Sequence, residues 1–229
     1  MKERTIMDNT TPFKVNAYDE NVPKVIPFYS ELSEQVISVI RAFFPDKRLA
    51  LLDTGCGTGT FALKALERLD IQRLTLCDPS ENMLNDARAK LAGRNCELLD
   101  IGSEKMMFVN EFDVVTAIQS HHYFDRPTRE KAVANCFKAL KNGGIFIYFE
   151  NTAPLTDTGR EILLKRLGEY QLSSGRTQEE TDSHLARYGV EYFPINIKEH
   201  LEMLEQTGFE VCELFWQSYM QCGFYAVKG

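Results

Sequence analysis

Apolar positions along this chain follow two alternating rhythms. Compact runs rich in Leu, Ile, Val and Phe at residues 49–53, 74–78, 96–99, 112–118 and 145–149 read as buried strands. Between them, residues 59–69, 80–92 and 128–141 carry apolar side chains at helical spacing. A further helical region spans 23–44, where Val25, Phe28, Tyr29, Leu32, Val36, Ile37 and Ile40 recur on one face and Pro45-Asp46 ends the run. Ser80 ahead of Met83 and Leu84 predicts an N-cap followed by an apolar face. Asn142-Gly143-Gly144 predicts a helix stop before a strand. Strands alternating with helices predict an α/β fold with a doubly wound parallel sheet, which takes its ligands at the carboxyl ends of its strands.

The rhythm changes after Glu150. Residues 155–192 read as two helices joined by Ser173-Ser174-Gly175, either a lid over the sheet's carboxyl edge or a side element without ligand contact. A helix at 198–207, a turn at Thr207-Gly208 and strands at 209–216 and 220–227 follow. So short a connection between the last two strands predicts an antiparallel hairpin. The expected organisation is one domain over 1–229, with a helical cover at 1–45 and a helical insertion at 155–192; residues 1–16 read as loose.

Composition narrows the function. The 229 residues, 44% hydrophobic, suffice for one core without metal or disulfides. A net charge of −7 suits broad phosphate contacts poorly, so no nucleic-acid surface is expected. The six cysteines form no C-x-x-C pair and the four histidines sit at no zinc spacing, so no metal site is expected. A polar start without secretory pattern, reduced cysteines and no membrane-length apolar run predict a cytoplasmic chain.

The chemistry concentrates at Asp53-Thr54-Gly55-Cys56-Gly57-Thr58-Gly59, a glycine turn between the first strand and a helix. Glycines at alternate positions let a backbone turn tightly and approach a ligand. Asp78 and Asp100 end the next two strands; the bland reading of all three acids is ordinary loops of an α/β protein. Thr60 stands where a dinucleotide fingerprint needs its third glycine, and Asp53 would repel a diphosphate but attract an ammonium group. Asp78 can accept two ribose hydroxyls, and Asp100 an exocyclic amine, with Ile101 and Met83 enclosing an adenine. These features spell S-adenosyl-L-methionine, with S-adenosyl-L-homocysteine as its product.

On these residues the chain resembles the class I S-adenosylmethionine-dependent methyltransferases. The resemblance rests on LLDTGCGTG, LCDPSENML, the LLDI around Asp100, FDVVTAIQSHHYF, ALKNGGIFIYFE and the terminal hairpin. It implies a Rossmann-like, mostly parallel seven-stranded sheet. It also implies a cofactor site drawn from Tyr18, Tyr29, Asp53, Gly55, Cys56, Gly57, Asp78, Pro79, Met83, Asp100, Ile101, Ile118 and Gln119. A narrower resemblance, to carboxy-S-adenosylmethionine synthases and their methyltransferase-like relatives, rests on Ala17-Tyr18-Asp19-Glu20, Ile26-Pro27-Phe28-Tyr29-Ser30 and TGFEVCELFWQSYMQCGFYAVKG. That family holds the cofactor's carboxylate with an arginine where this chain has Met203, which cannot pair with a carboxylate; Tyr29 matches a tyrosine that reaches the cofactor.

Methyl transfer is an in-line displacement that needs alignment, a dry pocket and, for a protonated nucleophile, a base. Tyr18, Tyr29 and Tyr123 either face the sulfonium or pack in the core. His121 and His122 after strand four are candidate bases for a hydroxyl or thiol, or else caps of backbone groups; Glu150 is a candidate to orient an amine. Trp216, Tyr219 and Met203 are candidates for the substrate pocket. The expected partners are a small-molecule substrate and, in a homodimer, a second copy of the chain, with no membrane. Methyl transfer to a small molecule leads this reading. Its rivals are carboxyl transfer to the cofactor, a nicotinamide-dependent oxidoreductase and a non-catalytic cofactor-binding subunit.

Overall fold

The computed structural model describes residues 18–229 and, of Tyr18, the backbone. Seven strands form one sheet: β1 (Leu49–Thr54), β2 (Ile71–Asp78), β3 (Glu97–Asp100), β4 (Phe112–Ile118), β5 (Leu140–Asn151), β6 (Val211–Ser218) and β7 (Gln221–Val227). Their order is β3-β2-β1-β4-β5-β7-β6. Neighbours among the first five pair in parallel, and β7 runs antiparallel to both β5 and β6. The expected fold class, terminal hairpin included, is the one observed. The chain winds outward from β1 to β3 and, on the other side, from β4 onward, so the carboxyl ends of β1 and β4 flank the switch point where such sheets bind ligands.

Both sheet faces are covered, which is why the strands read as continuous apolar runs. Leu49, Leu51, Ile145, Ile147 and Phe149 pack in one core with α2 (Tyr29–Phe43) and α3 (Thr60–Arg68). Ala50, Leu52, Phe146 and Tyr148 point the other way, with side chains of α5 (Arg126–Ala139) and α8 (Ile197–Thr207). On α8, His200, Met203 and Leu204 are buried, the i, i+3, i+4 stripe of a helix laid on a sheet. Ser80 caps α4 (Glu81–Lys90) as expected, accepting from the Met83 N–H. Between β5 and β6 lie α6 (Asp157–Ser173) and α7 (Gln178–Leu185), ahead of α8.

Two expectations are corrected. The helical region read over 23–44 is two helices, α1 (Tyr18–Val25) and α2, because Pro27 disfavours helical backbone at Ile26 and Phe28 turns left-handed at φ 57°. Asn142-Gly143-Gly144 is no helix stop. The helix ends at Ala139, and those residues belong to β5, whose pairing with β4 shifts between Phe112 and Val114. Asp19 ties α1 to the glycine turn, accepting from the Thr58 and Thr60 hydroxyls at 3.0 Å each and pairing with Lys90 of α4 at 2.6 Å.

Candidate functional site

The carboxyl ends of β1, β2 and β4 surround a cavity of about 220 Å³. Its floor is the glycine turn. Gly55 has φ 61°, and a Cβ there would collide with Ser120 Cβ in the loop after β4. Backbone angle and close approach therefore both require glycine at this position. Gly57, at φ 54°, donates its N–H to Asp78 Oδ2 at 2.9 Å, while Ser80 N–H donates to Asp78 Oδ1 at 2.9 Å. One carboxylate at the end of β2 thus fixes the turn and the start of α4. An ionised carboxylate has about four acceptor sites, so the same group also suits ligand hydroxyls.

Asp53, 2% exposed, ends the apolar run of β1 and accepts from Thr116 Oγ1 at 2.7 Å. Burial pushes its carboxyl up to about 7; the Thr116 bond works against this and the neighbouring Asp78 adds to it. The cavity wall brings together Tyr29, Asp53, Gly55, Cys56, Gly57, Asp78, Pro79, Met83, Ile118, Gln119 and Tyr123 from the sequence expectation. Gln119 turns left-handed at φ 57° as β4 ends, its N–H bonded to Phe149 O at 2.8 Å. Strained backbone of this kind costs about 1–3 kcal/mol and gathers at functional sites.

Other expected residues stand elsewhere. The Tyr18 side chain lies outside the described residues. Asp100 is exposed at the end of the edge strand β3 and off the cavity wall, and Ile101 packs against the core instead. Gly102 and Ser103 line the cavity beyond them. Met203 belongs to the core face of α8 and lines neither this cavity nor a second chamber beside it, so the arginine position of the resemblance falls in the core here. Trp216 packs edge-on to Phe149 at 5.5 Å. Tyr219 lies under the Arg166 guanidinium at 3.8 Å, against α6. The expected substrate pocket therefore keeps Tyr123 alone of its four residues.

The two histidines after β4 part company. They lie in a 3₁₀ turn, His121–Tyr123, beside Glu150 near the end of β5, and Glu150 is fully buried. Its Oε1 accepts the His121 N–H at 3.0 Å and its Oε2 stands 3.3 Å from His122 Nδ1. Burial alone would push the Glu150 carboxyl up; the adjacent His122 and His121 rings and the Arg129 guanidinium outweigh it and hold the group low. His121 turns its Nε2 to Ser103 Oγ at 3.0 Å, lines neither cavity and is pushed by burial to about 4. The reading of His121 as a base is corrected accordingly: it is a neutral packing group at pH 7.

His122 instead lines a second chamber of about 30 Å³, which shares Gln119 and Tyr123 with the first cavity. Val22, Val25 and Ile26 enclose it from the α1 side, and Leu167, His184, Arg187 and Tyr192 from the segment after β5. Gln119 donates to Gln221 Oε1, and Gln221 to Asn151 Oδ1, an amide chain across β4, β7 and β5 at the chamber's edge. The sequence reading missed Gln221, Asn151 and Ser103, and named Arg187 only as a cation to examine, with Arg160 and Arg166, if the carboxylated cofactor were preferred. The only local signal was a polar residue at the end of an apolar strand. Among the described residues no group of three or more His, Cys, Asp or Glu could hold a metal, and no helix is long and apolar enough to cross a membrane.

Comparison with known proteins agrees with this geometry. Residues 51–144 match the family model described as a methyltransferase domain. The carboxy-S-adenosyl-L-methionine synthase of Staphylococcus epidermidis is 25% identical over 215 residues, 93% of each chain. That of Trichodesmium erythraeum is 27% identical over 228 residues, covering 95% of this chain and 89% of the relative. Among solved structures, a S-adenosylmethionine-dependent methyltransferase from Thermotoga maritima aligns over 94% of this chain and 96% of its own at TM-score 0.64 and 17% identity. Magnesium protoporphyrin IX methyltransferase from Synechocystis, with S-adenosylhomocysteine bound, aligns over 90% and 86% at TM-score 0.65 and 16% identity. Residues 51–144 thus carry a methyltransferase domain, and the likenesses together support a class I S-adenosylmethionine-dependent enzyme with S-adenosyl-L-methionine as its cofactor.

Proposed function

We propose that this methyltransferase is a cytoplasmic enzyme that alkylates a hydroxyl or thiol of a small-molecule acceptor, with His122 as general base. One observation carries the reading. His122 is backed by the buried Glu150 carboxylate at 3.3 Å and opens on a chamber that shares Gln119 and Tyr123 with the cofactor cavity. When bound, the cofactor supplies a methyl group on a positively charged sulfur. The chain's own residues hold and exclude. Asp78 would accept hydrogen bonds from the ribose hydroxyls, Asp53 would pair with the ammonium of the methionine end, and Pro79 and Met83 would flank the base. With its Nδ1–H turned to Glu150, His122 takes the acceptor's proton at Nε2, and the Glu150 charge stabilises the imidazolium that results. The segment 155–192 acts as the acceptor-side lid, which fits the contact of Leu167, His184 and Arg187 with the chamber and the 2.7 Å bond from the Tyr170 hydroxyl to Pro23 O.

The test is incubation with methyl-labelled S-adenosylmethionine and a fractionated metabolite extract. Label is expected in a low-mass fraction, with S-adenosylhomocysteine formed in equal amount. Label confined to protein or nucleic acid, or no turnover against any fraction, overturns the reading.

Asp53 adds a pH dependence. Its folded-state carboxyl at about 7 lies above the ordinary 3.8, so the folded protein binds this proton more tightly than the unfolded chain does. Its contribution to stability is fully present below pH 3.8 and is lost as pH rises through 7. An ammonium beside it favours the carboxylate, so the ligand reverses the trend. Affinity for S-adenosylhomocysteine should rise roughly tenfold or more between about pH 5.5 and 7.5 and then level off. In Asp53→Asn the profile should be flat, which calorimetric titration across that range checks.

A second reading is favoured by the names of the full-length relatives: carboxyl transfer onto the cofactor. It requires a cation for the added carboxylate; Met203 in the core is not one, and Arg187, buried in the adjoining chamber, is the candidate that this reading would use. Mass spectrometry of the nucleoside eluted from purified protein separates the two readings.

A further inference from the structure

Arg129 stands where a helix laid on a sheet calls for an apolar side chain. The buried stripe of α5 runs Arg129, Ala132, Val133, Cys136 and Ala139, and Arg129 is 2% exposed. A buried charge is costly unless it is paired and hydrogen-bonded, so its partners are informative. Its Nε donates to His121 O at 3.1 Å, and its Nη2 donates to Phe124 O at 3.2 Å and to Phe193 O at 2.5 Å. His121 opens the 3₁₀ turn that carries His122, and Phe124 ends it. Phe193 lies in the segment after α7 and donates its own N–H to His122 O at 2.7 Å. One guanidinium therefore closes a ring of bonds between the loop after β4 and the segment that encloses the second chamber.

The charge has a counterpart. Glu150 Oε1 accepts the His121 N–H at 3.0 Å while Arg129 takes the carbonyl of the same residue, so opposite charges hold the two ends of one residue's backbone. Burial pulls the Arg129 guanidinium down, and the Glu150 charge leads the groups that work against this. The groups around the carboxylate come from several elements. Burial keeps His121 of the turn at about 4 and His200 of α8 at about 3, so both rings are neutral at pH 7. Burial also raises the phenols of Tyr123 in the turn and Tyr148 in β5. Glu199 of α8 faces Arg129 from farther out and stands 3.9 Å from Arg126. On the chamber side, His184 is pushed by burial to about 3, and Arg187 pairs with Glu191 at 2.6 Å.

We infer that Arg129 is a positioning residue of the methyl-transfer site: from within the core it pins the His122 turn to the segment at Phe193, and it supplies the standing positive charge that lets Glu150 orient His122 as a carboxylate. This rests on the reading of His122 as the base and adds the residue behind it. Without that charge, Glu150 is left buried beside a loop of carbonyls. The His122–Glu150 pair then takes up a proton at higher pH than before. A protonated Glu150 gives its hydrogen to His122 Nδ1, which leaves the ring's own proton on Nε2, the atom that faces the acceptor.

The experiment is a pH titration followed by nuclear magnetic resonance of ring-labelled histidine, with His122→Gln assigning the His122 signal. The protein is saturated with S-adenosylhomocysteine, whose binding certifies the fold of each variant. Neither Arg129→Met nor Arg129→Lys reproduces the guanidinium fork across three carbonyls, but Lys keeps the charge. Proton uptake by the pair should move to higher pH in Arg129→Met and stay close to wild type in Arg129→Lys, an order that loss of packing does not produce. No movement in Arg129→Met, or equal movement in both variants, overturns the role. A double variant covers the case in which Arg129→Met is too unstable to titrate. Arg129→Met with Glu150→Gln should melt at a higher temperature than Arg129→Met alone, because no buried charge is then left without its counterpart. A double variant no more stable than the single one overturns the pairing. A His122→Gln enzyme with normal turnover is a failure of the base reading; the titration uses no acceptor and still decides the role of Arg129.

Discussion

Asp78→Ala is expected to weaken S-adenosylhomocysteine binding by roughly 10²–10⁴-fold, from two lost charge-assisted hydrogen bonds of about 1.5–3 kcal/mol each. The residue acts twice. It faces the cavity, and its two oxygens hold the Gly57 and Ser80 N–H groups that shape the turn and the start of α4. Asp53→Asn should cost far less near neutrality, because a carboxyl pushed to about 7 is only partly ionised there. Asp78→Asn keeps one acceptor oxygen and should fall between. Calorimetric titration of the three variants at pH 7 ranks them. Equal losses for Asp78→Ala and Asp53→Asn would reassign the ribose carboxylate.

Why Asp78 was legible and Asp100 was not is a matter of sheet order. Both end a strand, and the apolar runs ahead of them find both. Only the strand order reveals that β2 lies next to the switch point while β3 is the edge, where a carboxylate faces water. The glycine turn was readable for a different reason. Its parts are contiguous, and the strand, turn and helix each leave a local mark. Met203 shows a signal that was present and overruled. The stripe His200, Met203, Leu204 puts it on the buried face of α8, whereas a position-by-position match put it at the ligand.

The second chamber was invisible for a physical reason. Gln119 and Gln221 are 102 residues apart in the chain and meet through one hydrogen bond. Arg187 reaches the same space from a segment whose orientation depends on how α6 lies against α1, and Tyr170 and Gln171 report that packing by bonding the carbonyls of Pro23 and Val25. No local periodicity encodes such a juxtaposition. The fold was therefore readable nearly throughout, the cavity at the switch point in most of its wall, and the second chamber in little beyond His122 and Tyr123.

His122→Gln is expected to lower kcat/KM for a hydroxyl or thiol acceptor by about 10²–10⁴-fold, the usual worth of a positioned general base, with the affinity for S-adenosylhomocysteine unchanged. Glu150→Gln should be nearly as damaging, though His122 remains. The amide still accepts the His121 N–H but turns an N–H toward His122 Nδ1, where a carboxylate stood at 3.3 Å. The ring then keeps its proton on Nε2, the tautomer unable to act as a base at the chamber. His121→Gln gives the contrast: it breaks a buried bond to Ser103 and should lower the melting temperature with a smaller effect on turnover. The pH profile separates catalysis from structure. Without the base, the residual rate should climb with pH by about tenfold per unit as the acceptor loses its own proton to solvent, an effect that no packing defect mimics. A His122→Gln enzyme with normal kcat/KM would mean that the nucleophile arrives without a proton to lose. The Glu150–His122 pair would then be a prop for the β4 loop, and the chemistry would rest on alignment alone.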